Sequence, residues 1–299
     1  MCLFNEAIEN WKDWGHVFQS IPAFKEIVFH ILNKENLKTA EIENLTPGTN
    51  AVFKVGSCVI KIFAPAESGM DQTCDLETEL FAIKRANAVG ISTPRLIAYG
   101  EIWDKYKFSY VITEFVAGIE LAEAFKTMSD ERKVSIGKRL RTITDKMNTS
   151  CEPFNDIDII NDRERQKRWE SYPVTFKNER RAYIDSLTFE EMVFVHGDLC
   201  GDNILITSDD ELFVIDFADS VRAPREYEHA LVAVELFEFD KMLLKGYFGD
   251  YLADGLTEIC LNGLLIHDFG GDIIKIRIAP PGEIHSLAVL RKKIRNRFL

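Results

Sequence analysis

The sequence predicts an α+β protein of two lobes, a small N-lobe built on a mixed sheet and a larger, mainly helical C-lobe. Three observations predict it. Short apolar strand patterns broken by Gly and Pro crowd residues 42–114, helical periodicity dominates after residue 118, and 299 residues suffice for two substantial cores. The divisions expected are a helical extension over 1–37, an N-lobe with its hinge over 38–118, and a C-lobe over 119–299.

The elements follow in order. Trp11, Trp14, Val17 and Phe18, then Phe24, Ile27, Val28 and Ile31, give the first 37 residues an amphipathic helical pattern. Its apolar face is expected to sit on the small lobe, with a partner-binding arm as the alternative. Val52, Phe53 and Val55 form a strand after a Gly-containing turn, Gly56-Ser57 ends it, and Cys58 to Phe63 forms the next. Glu79 opens a helical run through Leu80, Ile83, Ala86 and Val89, stopped by Gly90. A hinge falls at Phe115 to Gly118. In the second lobe Ser129-Asp-Glu-Arg132 is a helix start. Arg163 to Trp169 and Lys177 to Leu187 read as helices, and Pro280-Pro281 is expected to begin the terminal one.

Composition excludes several classes. Apolar residues make up 46% and charged residues 28%, as in soluble enzymes, and no apolar run approaches a membrane span. The start, Met-Cys-Leu-Phe-Asn-Glu, lacks a basic segment and signal core. The six cysteines contain no Cys-x-x-Cys, so reduced thiols in the cytoplasm are expected, not a disulfide frame or zinc site. A net charge of −12 disfavours nucleic acid as a partner. From His196 to Cys260 there are fifteen Asp or Glu against four Lys or Arg. That surface favours a cationic small-molecule acceptor. The basic tail Arg291 to Arg297 reads as the last turns of a helix favoured by its dipole.

The chemistry concentrates in His196-Gly-Asp-Leu-Cys-Gly-Asp-Asn203 and, shortly after, Val214-Ile-Asp-Phe217. A strand from Met192 to Val195 delivers the loop and Ile204 to Ile206 leaves it. Asp209-Asp210 turn the chain, and Leu212 to Ile215 return it, placing Asp216 beside Asn203. Phosphoryl transfer needs a carboxylate to orient an attacking hydroxyl and oxygen ligands to hold Mg²⁺ on the phosphates. Asp198 fits the first role, and Asn203 with Asp216 fit the second. Upstream, Lys61 lies inside an apolar strand, where an amine is costly unless paired. Reaching phosphates and a carboxylate suits it; Glu79 is the preferred partner and Glu77 the rival. The loop Pro47-Gly-Thr-Asn50 has one glycine, and no Gly-x-x-x-x-Gly-Lys-Ser/Thr loop occurs anywhere. His267-Asp-Phe-Gly270 spells a second metal motif, but it follows an apolar helical stretch far from Asn203, so Asp268 is read as a turn residue.

These residues resemble the signature of the aminoglycoside phosphotransferase and choline-kinase-like family. Its other marks occur in order: Gly48-x-Asn50, Lys61, Glu79, Gly90-Ile-Ser-Thr-Pro-Arg-Leu96, Val111 to Gly118 and Arg225-Glu-Tyr-Glu-His-Ala230. The resemblance implies a protein-kinase-like fold with a nucleotide between the lobes. It makes Asp198 the catalytic base, Asn203 and Asp216 the Mg²⁺ ligands, and Lys61 the phosphate clamp paired to Glu79. Asn50 would join the nucleotide site, and the backbone of Glu114 and Val116 would hold the base of ATP or GTP. His196 would fix the loop. Asp202, Glu235, Glu238 and Asp240 are acidic candidates for the acceptor. Departures are Cys200-Gly201 where relatives carry His-Pro, Ala218 for glycine, Glu228 for aspartate, and Thr144 to Asn148, which lacks the usual Leu-His pair. The function implied is a small-molecule kinase acting on a hydroxyl of an acceptor such as an aminoglycoside. Alternatives are choline, amino sugars or hydroxy amino acids as acceptors, a protein kinase, or a non-catalytic nucleotide-binding module. The missing His-Arg-Asp arginine and Ala-Pro-Glu segment count against a protein kinase. Neither the nucleotide preference nor the choice of monomer or dimer can be read from the spacing.

Overall fold

The computed structural model describes residues 2–70, 72–162, 167–189 and 191–299. The chain forms two compact units, Met1–Lys84 with Ser92–Ala117, and Arg85–Ile91 with Gly118–Leu299.

The first unit is built on β1 (Ile42–Asn44), β2 (Ala51–Val55), β3 (Cys58–Ile62), β4 (Leu96–Trp103) and β5 (Lys107–Glu114), in the order β1-β2-β3-β5-β4. The sheet expected as mixed is antiparallel at each pairing. Short turns decide this for β1-β2, β2-β3 and β4-β5, since a parallel pair needs a long crossover; β3 and β5 meet through the longer connection that carries a helix and β4. Val55 pairs with Cys58 across Gly56-Ser57, and Gly56 supplies the left-handed φ of +60° that such a turn asks for.

Helices α1 (Trp11–Val17) and α2 (Ile21–Lys34) start at Asn10 and Ser20, whose side chains accept backbone N–H groups of the first turn. Trp14, Phe24, Ile27, Val28 and Ile31 lie in one core with Phe53, Phe108 and Tyr110 of the sheet. Phe4 enters the same core, its ring 5.1 Å from Phe24 and 5.2 Å from Phe108. The Asp104 carboxylate fixes this segment by accepting the amides of Leu3 and Phe4, each at 2.9 Å. Helix α3 runs Thr73–Ala88, so Glu79 lies in its interior and does not open it; Asp75 is the acid of the first turn.

The second unit carries two small sheets. β6 (Gly118–Glu120), β8 (Ile204–Thr207) and β9 (Leu212–Val214) form one, and β7 (Val193–Val195) pairs with β10 (Val221–Ala223) in the other. Around them stand α4 (Leu121–Phe125), α5 (Asp130–Met147), α6 (Val174–Ser186), α7 (Arg225–Leu231), α8 (Lys241–Phe248), α9 (Ala253–Ile266), α10 (Gly270–Arg277) and α11 (Leu287–Phe298). Ser129 caps α5 as its sequence predicts. The C-terminal end of α5 is tied to β7 by Asn148, whose side-chain amide donates to the Phe194 carbonyl at 3.0 Å.

Two boundaries differ from expectation. Pro280-Pro281 leads only a short 3₁₀ turn, Pro281–Glu283, and the terminal helix begins after Ser286, whose hydroxyl accepts Val289 N–H. Residues 163–166 of the expected 163–169 helix lie outside the described residues; Lys167–Trp169 is a 3₁₀ turn. Trp169 is buried in the core, with the Arg180 guanidinium 4.0 Å from its ring. Among the described residues no helix is long and apolar enough to cross a membrane.

Candidate active site

In the first unit the strand amine has its partner. Lys61 Nζ lies 2.7 Å from Glu79 Oε2, with the two side chains only 10% and 7% exposed. Glu77 is exposed on the same helix, so the rival is excluded by direction. A desolvated pair of this kind holds only while both charges are present. Asn50 is buried at the start of β2, and its Oδ1 lies 3.4 Å from the Ala64 amide. Glu114 ends β5 and accepts the Arg95 amide at 3.1 Å; Val116 follows, half-buried.

In the second unit, buried β7 delivers the loop. His196 is fully buried, its Nε2 2.9 Å from the Ile215 carbonyl and its ring 4.7 Å from that of Phe217. Gly197 has φ +87°, and a Cβ there would stand 1.9 Å from the Asp219 carbonyl oxygen, so no other residue fits. Asn203 Nδ2 donates to the Asp198 carbonyl at 2.8 Å and to Asp198 Oδ2 at 3.0 Å. The Ile215 amide donates to Asn203 O at 3.0 Å and brings Asp216, itself at φ +60°, next to the loop. The strand, turn and returning strand therefore converge as the spacing predicts.

Burial, reinforced by the charges of Asp219 and Asp216, pushes the Asp198 carboxyl up to about 7. That repulsion, together with the donor chemistry, is the test of a metal here. With Nδ2 committed to Asp198, Asn203 has Oδ1 as its remaining donor to a cation, and Asp216 adds a carboxylate; hard oxygens of this number fit Mg²⁺ that also binds phosphates. Among the described residues no group of three or more His, Cys, Asp or Glu is placed to hold a metal by itself. The donor set fits an ion shared with a nucleotide, not a protein-only cage.

Glu228 is more central than its helix-start position suggests. It is fully buried on α7, and its Oε2 accepts the His196 amide at 2.8 Å and the Gly197 amide at 3.5 Å. Burial raises its carboxyl to about 8, and its Oε1 meets no partner among the described residues. The sequence marked the position as a departure but gave no sign that it holds the loop from below.

Asp198 opens on a cavity of about 710 Å³ lined by α4, the loop, the segment after α7, and α10. Asp202, Glu235, Glu238 and Asp240 all line it, as does Asp272, which sequence reasoning missed. Arg277 was missed too, because nothing in spacing links α10 to this wall. The wall itself is a π-helical turn, Val232–Leu236, followed by left-handed backbone at Glu238 (φ +46°) and Phe239 (φ +64°). The second metal-like motif is structural: His267 stacks on Tyr227 at 4.0 Å, and Asp268 lies 3.4 Å from Arg168 Nε in the turn between α9 and α10.

A family model described as the phosphotransferase enzyme family matches residues 48–260. The chain belongs to the phosphotransferase enzyme family. No curated protein sequence matches it. Solved structures of similar fold include wild-type aminoglycoside 2'-phosphotransferase-IIIa with GDP, 15% identical over 92% of this chain and 99% of that one, TM-score 0.61. Choline kinase LicA from Streptococcus pneumoniae is 15% identical over 92% and 98%, TM-score 0.57. The streptomycin-ATP-APH(2")-IIa ternary complex is 17% identical over 80% and 86%, TM-score 0.54. At these identities the likeness establishes this phosphotransferase as protein-kinase-like in fold, with a sheet-based N-terminal unit and a mainly helical C-terminal one.

Proposed function

We propose that this phosphotransferase moves the γ-phosphoryl group of ATP or GTP to a hydroxyl of a small acceptor bearing at least one amine, in the class of aminoglycosides or other amino alcohols. The observation that carries the reading is Asp198, braced by Asn203 and opening on a cavity walled by carboxylates. In this reading Asp198 accepts the hydrogen bond of the acceptor hydroxyl, aligns its oxygen on the γ-phosphorus and takes its proton as the new P–O bond forms. A carboxyl near pH 7 suits that work better than an ordinary one. The bond from phosphorus to the bridging oxygen breaks, and the nucleoside diphosphate leaves.

Lys61, kept charged and oriented by Glu79, neutralises phosphate oxygens. Asn203 and Asp216 would hold Mg²⁺, which when bound supplies charge compensation on the phosphates. Asn50 and the backbone at Glu114 and Val116 are assigned to the nucleotide. All six cysteines are free, which supports a reducing, cytoplasmic location. The test is Mg²⁺-dependent phosphate transfer over a panel of aminoglycosides, choline, amino sugars and hydroxy amino acids, with ATP and GTP as donors. Transfer to at least one amine-bearing alcohol is expected. Bound nucleotide without turnover on any acceptor would leave a nucleotide-binding module instead.

A further inference from the structure

The cavity beside Asp198 is acidic by composition, yet three of its six carboxylates are held within 3 Å by cations of the protein. Arg277, at the end of α10, donates from Nε to Glu235 Oε2 at 2.9 Å and from Nη2 to Glu235 Oε1 at 2.7 Å. Its Nη1 lies 2.9 Å from Glu238 Oε1. One guanidinium thus spans two carboxylates, the first of them bidentately. Asp240 is held 2.5 Å from Lys133 Nζ and also caps α8 by accepting the amides of Met242 and Leu243. Lys126, a further cation of the wall, is paired with Glu123.

Apart from Asp198, this leaves Asp202 open to an acceptor and Asp272 only loosely held. Asp202 is exposed and makes no ion pair within 4 Å among the described residues. Asp272 makes only a long ion pair, its Oδ2 4.0 Å from Nη1 of Arg168. The rest of the wall is apolar: Phe125, Leu236, Phe237, Phe269, Ile273 and Ile276, the last 71% exposed. The backbone is shaped to the ion pairing. The π turn and the two left-handed residues after it turn Glu235 and Glu238 toward one guanidinium, a conformation that costs energy and persists where packing enforces it.

We propose that Arg277 determines the acceptor class, occupying Glu235 and Glu238 so that the site takes a hydroxylated molecule with an apolar body and a single amine in preference to a polycation. The proposal rests on the reading of this cavity as the acceptor site. A polycation gains from several unpaired carboxylates; here it must first displace the guanidinium and forfeit its charge-assisted hydrogen bonds. An apolar body displaces water from the aromatic and aliphatic wall without disturbing any ion pair.

The experiment compares kanamycin with the octyl glycoside of glucosamine, which carries one amine, several hydroxyls and an alkyl chain. Binding is read by equilibrium dialysis without nucleotide, and transfer by radiolabelled nucleotide. The wild type is expected to favour the octyl glycoside. Arg277→Gln should shift the binding ratio about tenfold toward kanamycin. The double variant Glu235→Gln/Glu238→Gln, which leaves the guanidinium unpaired, should shift it the other way. A wild-type preference for kanamycin, no measurable binding of the octyl glycoside, or a ratio unmoved in both variants would overturn the proposal. Failure of the kinase reading looks different. A ratio that moves as expected with no transfer to either acceptor keeps Arg277 in this role and removes the transfer. Transfer at an unmoved ratio does the reverse.

Discussion

The loop from His196 to Asn203 and the wall from Glu235 to Asp240 both bring carboxylates to one cavity, but they hold them by different means. In the loop, Asp198 is fixed by Asn203, five residues on, and by backbone anchored through His196 and Glu228. In the wall, Glu235 and Glu238 are fixed by a single side chain, Arg277, which is 42 residues beyond Glu235. The first arrangement is rigid because backbone hydrogen bonds define it. The second is adjustable, since one substitution on α10 can change the charge of the whole wall. A family with one chemistry and many acceptors is served by such a division of labour.

The largest effect should come from the loop. Asp198→Asn keeps the shape and the Asn203 contact on one side but removes the proton acceptor. A fall in kcat of about 10³-fold is expected, within the usual range for a general base, with nucleotide affinity little changed. Steady-state kinetics and nucleotide titration check this; retained turnover would remove Asp198 from the base role and make the loop a scaffold like the wall.

Next in size is Glu79→Ala, which leaves the buried Lys61 amine without its carboxylate. Breaking a buried pair from one side costs about 3–5 kcal/mol, measurable by urea unfolding. A loss below about 1 kcal/mol would mean that the amine escapes to water, and that this pair, like the wall, adjusts.

The subtlest concerns Glu228. The folded chain keeps this proton up to about pH 8, whereas the unfolded chain releases it near the ordinary 4.5. The native state therefore binds more protons between those values, and stability falls as pH rises across that window, levelling above it. The His196 and Gly197 amides favour the ionised form and offset part of the burial, which limits how far up in pH the window extends. In Glu228→Gln this component should vanish in pH-resolved denaturation curves. A slope equal in both proteins would show that Glu228 is ionised, and that the loop rests on a charge rather than on a neutral carboxyl.

Much of the fold and half of the site could be read before any coordinates. Strand alternation placed β2 and β3, and the apolar run around Lys61 required a partner that the helix supplied in Glu79. The Asp198, Asn203 and Asp216 set was legible because a hairpin between β8 and β9 converts sequence distance directly into spatial distance. Helix ends were less legible: Pro280-Pro281 looked like a start, but the hydroxyl of Ser286 supplies the cap. The sheet expected as mixed proved antiparallel: turn lengths set direction in its three hairpins, and the long connection from β3 to β5 carries no direction in its composition. Asp272, Arg277 and the burial of Glu228 left no local trace, since each depends on helices meeting far along the chain.

The indole of Trp14 donates to the carbonyl of Thr49, at 2.8 Å, inside the turn that carries Gly48 and Asn50. Nature has thereby wired a fluorophore to the segment assigned to the nucleotide. With the solvent-facing Trp11 and Trp103 and the buried Trp169 replaced by Phe, ligand-dependent emission would report on that turn without any label. Quenching by nucleotide and not by acceptor is the expected signature, and an unresponsive spectrum would mean that the turn stays put when the donor arrives.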